Sequence, residues 1–244
     1  MITALEFLTR IKFSSAREWS PEGFSRSVLW FPLIGLLAGA ILAGVNYLLV
    51  QLATPVFLRS ILLLLGEFLI LGVLMYDGFM DTCDGVFSAR DRARMLEIMK
   101  DSHVGANGVL GAVLLLLTKF ALYASLPAEI LTLALVMAFL FTRSMMVFFI
   151  ICYPYARNSG IGKMFKDYAR SWYWLPGLVL TCLVAFYFGM VYLLAVGVGF
   201  VLLNGVAQFL KNQLGGLTGD TYGFLTEVGE AVFMLAVFGV GKVL

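Results

Sequence analysis

Long apolar runs, each near the length of a bilayer crossing, alternate with short polar segments along this chain. They cover residues 28–53, 61–76, 109–126, 130–153, 175–188 and 191–210. A last apolar stretch, residues 224–244, is broken by Glu227 and Glu230 and either crosses or only dips into the bilayer. A helix needs about 20 apolar residues to cross the hydrocarbon core of a membrane. The pattern therefore predicts an all-α, polytopic integral membrane bundle of six to seven transmembrane helices. Residues 1–27 precede the first run and set Glu6, Arg10 and Lys12 among Ile2, Leu5, Leu8 and Ile11. That mixture predicts an interfacial amphipathic segment, not a cleaved signal peptide.

Composition agrees with the pattern. Apolar residues make up 61% of the chain and charged residues 13%, with a mean hydropathy of +0.95. A soluble domain is about 45–50% apolar and about 25% charged. We expect one membrane domain over residues 1–244, with membrane lipid as its surroundings. Basic residues flank alternate ends of the runs. Arg10, Lys12, Arg17 and Arg26 precede the first, Arg90, Arg92, Arg94 and Lys100 follow the second, Arg157, Lys163, Lys166 and Arg170 follow the fourth, and Lys211 follows the sixth. The intervening turns hold only Arg59. This asymmetry puts the long polar loops on the cytoplasmic side of the cell membrane. A net charge of +2 gives no reason to expect nucleic acid as a partner. His103 is the only histidine, which excludes a multi-histidine metal site within one chain, and three scattered cysteines make no zinc or disulfide framework. The oligomeric state stays open, a homo-oligomer included.

The chemistry-bearing stretch is residues 77–108, DGFMDTCDGVFSARDRARMLEIMKDSHVGANG. At 3.6 residues per turn, Asp77, Asp81 and Asp84 share one helix face. Three carboxylates this close repel one another and call for a neutralising cation. Their hard oxygens suit Mg²⁺. Glu97 and Asp101 form a second i, i+4 carboxylate pair, and two such clusters suit two metals bridging a pyrophosphate. Arg90 or Lys100 would complete a phosphate clamp. Gly85 suits a close approach of substrate or helix. A second polar segment, residues 211–230, reads as a glycine-rich loop in which Gly216, Thr218, Gly219, Asp220 and Thr221 are candidates for substrate binding. It is predicted to fold over the acidic site, with Asp220 on a metal or on a donor hydroxyl. Glu227 and Glu230 are expected to cap or line the same cavity. Glu67, Lys119 and Arg143 fall inside apolar runs, where charges are costly unless paired.

FLTRI from Phe7, FPLIGLLAG from Phe31, the acidic stretch above and GGLTGDTYGF from Gly215 run in this order over nearly the whole chain. Together they resemble the cobalamin synthase family, whose activity is adenosylcobinamide-GDP ribazole transfer. The resemblance implies adenosylcobinamide-GDP as donor, α-ribazole or its 5′-phosphate as acceptor, GMP as leaving group and Mg²⁺ as cofactor. It implies metal binding at Asp77, Asp81, Asp84 and Asp101, with one of these or Glu97 as the base. The acidic stretch is also loosely similar to the CDP-alcohol phosphotransferases of phospholipid synthesis. Here three residues separate Gly85 from Ala89-Arg90, one more than that motif has, and its later glycine is missing. A cation-coupled transporter is the third reading, but the carboxylates sit at a span end rather than at the midplane.

Overall fold

The computed structural model describes residues 1–12 and 21–242. Arg17, one of the basic residues used for orientation, lies outside them, as does the very end of the last apolar run. Among the described residues the chain is mainly helical, without strands. The helices are α1 (Ile2–Leu8), α2 (Pro21–Arg26), α3 (Phe31–Gln51), α4 (Val56–Leu71), α5 (Leu74–Val86), α6 (Arg92–Ile98), α7 (Ala106–Ser125), α8 (Ala128–Cys152), α9 (Ile161–Tyr168), α10 (Trp174–Phe188), α11 (Met190–Leu214) and α12 (Gly219–Val240). A short 3-10 turn, Ser27–Trp30, joins α2 to α3.

Five helical segments are long and apolar enough to cross a membrane: 22–51, α7, α8, α11 and α12. The shorter apolar α4 and α10 complete the set of seven expected runs. The protein is thus an all-α, multi-pass membrane bundle. Helix α8 sits at its centre, with 83% of its most apolar window buried. Its neighbours are α3, α10 and α12.

The second predicted run differs from the structure in one respect that matters. Its apolar pattern continues to Tyr76, but α4 stops at Leu71 and α5 leaves at an angle of 99°. Gly72 makes the corner, at φ +75°, a backbone conformation that side chains disfavour. The acidic helix therefore runs across the direction of α4 instead of prolonging it.

The predicted pairing of the buried charges holds, and it recruits two more charges, Glu227 and Glu230, with two tyrosines. The Lys119 ammonium donates to Glu67, Glu227 and Glu230, each at 2.6 Å. Arg143 pairs with Glu230. Tyr76 donates to Glu67 at 3.1 Å and Tyr123 does so at 3.3 Å. This cluster links α4, α5, α7, α8 and α12 and is almost wholly buried. Glu227 and Glu230 thus belong to this buried tie and do not line the cavities at the acidic helix.

The loops after α5, α8 and α11 meet at one end of the bundle. Leu217 and Pro154–Ala156 exchange backbone hydrogen bonds, Leu217 N to Pro154 O and Ala156 N to Leu217 O, both at 2.8 Å. Arg157 reaches the carbonyl of Met99 at 3.4 Å. The N-terminal helix docks at the same end, where Phe7 stacks on Phe31 and meets Phe24 and Phe165 edge-on.

Candidate active site

Two helix N-termini build the site. Asp77 stands in the first turn of α5, and Asp220 stands in the first turn of α12, where the positive ends of the helix dipoles favour carboxylates. A capping box starts α12, with Thr221 N donating to Thr218 Oγ1 and Thr218 N donating to Thr221 Oγ1. The expected loop over residues 211–230 is consequently short. Helix α11 runs to Leu214 and α12 resumes at Gly219, so only residues 215–218 connect them.

The two helices cross at Gly78, where an added Cβ would come within 2.7 Å of the Asp220 carbonyl oxygen. No larger residue fits there without parting the helices. This crossing brings Asp220 beside the α5 carboxylates, as the topology predicted. Phe79 stacks on Phe224 at 5.1 Å to close the contact beneath.

The carboxylates are electrostatically crowded. Burial, then the charges of Asp220 and Asp77, push the Asp81 carboxyl up to about 7, Arg157 pulling the other way and Asp84 adding to the rise. Arg157 Nη2 pairs with Asp220 Oδ2 at 2.8 Å. Arg157 entered the sequence reading only as a marker of orientation. Its signal was a cation immediately after α8, on the same side of the membrane as the acidic stretch.

Asp84 has a different set of contacts. Its oxygens accept from the amides of Gly105 at 2.7 Å and Gly108 at 2.8 Å, at the start of α7. The carboxylate satisfies two of the amides that a helix N-terminus leaves unpaired. Asp84→Asn should weaken this cap by about 1 kcal/mol, or roughly fivefold in local opening. Hydrogen exchange at residues 105–109 measures it, and unchanged exchange would show that the cap does not depend on the charge.

The remaining sequence candidates lie elsewhere. Glu97 pairs with Arg94 at 2.7 Å on an exposed face of α6. Asp101 accepts from the His103 amide at 3.0 Å, contacts its ring Nδ1 at 2.7 Å, and is exposed. The charges acting most strongly on Asp81 come from Asp220, Asp77, Arg157 and Asp84, not from Glu97 or Asp101. Arg90 and Lys100 are exposed and form no ion pair among the described residues. Gly85 packs beneath Met99 and seats α6. Gly216 lies in the clasp against Pro154 and Ala156, Thr218 and Thr221 form the cap, and Gly219 and Asp220 line the cavity.

Asp77 borders two cavities. One, of about 240 Å³, runs past Gly78, Arg157 and Asp220 towards Tyr155 and Phe165. The other, of about 560 Å³, shares Phe7, Leu74 and Asp77 with it and extends to Arg10 and Lys12.

The donor set suits a hard divalent cation, because Asp77, Asp81 and Asp220 offer carboxylate oxygens whose crowding a cation relieves. A different set has the tightest convergence. Among the described residues, Glu67, Glu227 and Glu230 have donor atoms within 4.8 Å of one another. Lys119 already supplies the cation there. The aspartates are the better candidates, because Asp77 and Asp220 face a cavity and, among the described residues, only Asp220 of the three is paired with a cation, Arg157.

The cobalamin-5-phosphate synthase family profile matches residues 1–238. The chain is similar to the adenosylcobinamide-GDP ribazoletransferases of Shigella dysenteriae serotype 1 and Escherichia coli O139:H28. Each is 38% identical over 240 residues, covering 95% of this chain and 96% of the relative. No solved structure matches the chain.

Proposed function

Because the chain belongs to the cobalamin-5-phosphate synthase family, we propose that it transfers the adenosylcobinamide-phosphate moiety of adenosylcobinamide-GDP to α-ribazole or its 5′-phosphate. The observation that carries this reading beyond the family is the crossing of α5 and α12 at Gly78. It sets Asp77, Asp220 and Arg157 on one cavity, with Asp81 close enough to feel the charges of all three.

In the reaction a ribose hydroxyl of the acceptor forms a new P–O bond to the phosphorus next to cobinamide. The bond from that phosphorus to the GMP phosphate oxygen breaks, and GMP leaves with the electron pair. Asp77, Asp81 and Asp220 would hold Mg²⁺, which neutralises pyrophosphate charge when bound. A carboxylate of the same set takes the hydroxyl proton as the bond forms. Arg157, poised on Asp220, is placed to transfer its guanidinium to the donor's phosphate oxygens. The site lies at the end of the bundle where the basic loops gather, and we assign that end to the cytoplasmic face of the cell membrane.

The activity is tested by incubating the detergent-purified protein with donor, acceptor and Mg²⁺ and separating the products. GMP and a complete corrinoid should appear in equal amounts. GMP without the corrinoid would contradict the transfer.

Arg157→Ala should raise the donor KM by about ten- to a hundredfold, the equivalent of roughly 1.5–3 kcal/mol for a hydrogen bond to a charged group. Steady-state kinetics at saturating acceptor measure it. An unchanged donor KM would confine Arg157 to holding Asp220.

The membrane orientation is tested in a cysteine-free background. Ser102→Cys and Ser159→Cys should react with an impermeant thiol reagent only after cells are opened, and Gln51→Cys should react in intact cells. The reverse pattern would invert the assignment.

A further inference from the structure

The two helices that carry the site aspartates meet on bare backbone. Besides the contact of Gly78 with Asp220, Gly223 of α12 faces Met75 of α5, where an added Cβ would come within 2.8 Å of the Met75 carbonyl oxygen. Small residues let two backbones approach closely, but they bring no side chain to interlock. A contact of this kind fixes the distance between helices better than it fixes their register. The connection before α5 is equally permissive, because only Gly72 and Val73 separate it from α4 and the corner turns on the glycine.

One side chain at the start of α5 supplies a hold on that register. Tyr76, the neighbour of Asp77, sends its hydroxyl back across the corner to Glu67 Oε1 of α4 at 3.1 Å. The same hydroxyl accepts from the Lys119 ammonium at 3.3 Å, and that ammonium lies 5.2 Å from the centre of the Tyr76 ring. Lys119 also donates to Glu227 and Glu230 of α12. Glu227 follows Asp220 by about two helical turns, on the same side of α12. Both aspartate-bearing helices are thus held by one buried ammonium of α7. Tyr123 offers a contrast within the same cluster. Its hydroxyl donates to Glu67 Oε2 at 3.3 Å, but it stands on α7, which carries none of the proposed metal ligands.

We propose that Tyr76 is a positioning residue: its hydroxyl fixes the register of α5 on α12 and so the placing of Asp77 and Asp81 relative to Asp220. Tyr76 lines neither cavity beside Asp77, so it acts through the helices and not on a reactant. The inference rests on the reading of these aspartates as metal ligands in the transfer.

The test sets Tyr76→Phe against Tyr123→Phe in detergent-purified protein. Each removes one hydroxyl that donates to Glu67 and keeps the ring, and both variants should melt close to wild type. Tyr76→Phe should lower kcat about tenfold with little change in either KM, because misplaced ligands cost rate more than ground-state binding. It should also weaken Mn²⁺ binding and alter the paramagnetic resonance of the bound ion. Tyr123→Phe should leave rate and Mn²⁺ binding as in wild type. A second pair separates hydrogen bond from charge. Glu67→Gln keeps an oxygen for the Tyr76 hydroxyl and should keep most of the rate, whereas Glu67→Met should match Tyr76→Phe. Equal losses in the two phenylalanine variants, wild-type Mn²⁺ binding in Tyr76→Phe, or Glu67→Gln as slow as Glu67→Met would each overturn the positioning role. Corrinoid product from wild-type protein with an unaltered rate in Tyr76→Phe overturns this inference alone. No corrinoid product from wild-type protein overturns the transfer activity, and Mn²⁺ binding in the two phenylalanine variants then decides the placing of the aspartates by itself.

Discussion

Asp81→Asn and Asp77→Asn are each expected to lower the transfer rate about a thousandfold while the protein still inserts and purifies as wild type. The size follows from the task. A lost metal ligand or proton acceptor costs several kcal/mol in the transition state, and about 1.4 kcal/mol is a tenfold change in rate. The fold should tolerate the change. Asp77 is exposed, Asp81 is partly so, and Asn keeps the shape while removing one of several mutually repelling charges. Loss of charge here is expected to leave thermal stability unchanged or slightly raised, a combination that separates a functional carboxylate from a structural one. The measurements are single-turnover rates at saturating Mg²⁺ alongside melting of the detergent-solubilised protein. Near-normal turnover in either variant would remove that residue from the site.

Lys119→Met should have the opposite profile, with stability as its main casualty. The ammonium is the common partner of Glu67, Glu227 and Glu230 at 2.6 Å each. Without it, three carboxylates of which only Glu230 retains a cation, Arg143, are confined in an almost fully buried space. Removing one partner of a buried ion pair costs about 3–5 kcal/mol, because the charge left behind loses its compensation. In a chain of this size that is on the order of 10 °C in melting temperature. The cluster also joins α12 to α4 and α7, so its loss loosens the helix that delivers Asp220. Adding Glu67→Gln and Glu227→Gln to Lys119→Met should restore part of the loss, because it removes the stranded charges. A Lys119→Met protein that melts like wild type would show that the cluster does not hold the bundle together.

Much of this arrangement was legible in the sequence, and the exceptions share a physical cause. Apolar runs report burial in lipid and carry no information on direction. The run over residues 61–76 therefore looked like one crossing, although Gly72 turns its last part through 99°. The glycines of residues 215–223 suggested a loop. The Thr218 and Thr221 cap outweighs them and starts a helix at Gly219. The shared face of Asp77 and Asp81 followed from helical spacing, and the approach of Asp220 followed from loops lying on one side. Pairing of Glu67, Lys119 and Arg143 followed from the cost of charge in an apolar run. The addition of Glu227 and Glu230 to that pairing depends on how α12 packs, which no local pattern encodes. Arg157 escaped for the same reason, since its partner lies 63 residues away in sequence, by the difference of the two residue numbers.

The most direct test of the account is the binding of Mn²⁺, as a spectroscopic substitute for Mg²⁺, followed by electron paramagnetic resonance with adenosylcobinamide-GDP present. Wild-type protein should bind the ion, and Asp77→Asn, Asp81→Asn and Asp220→Asn should each weaken binding at least tenfold, with Glu97→Gln close to wild type. Wild-type Mn²⁺ affinity in all three aspartate variants would contradict the claim that the crossing of α5 and α12 is where the metal and the chemistry reside.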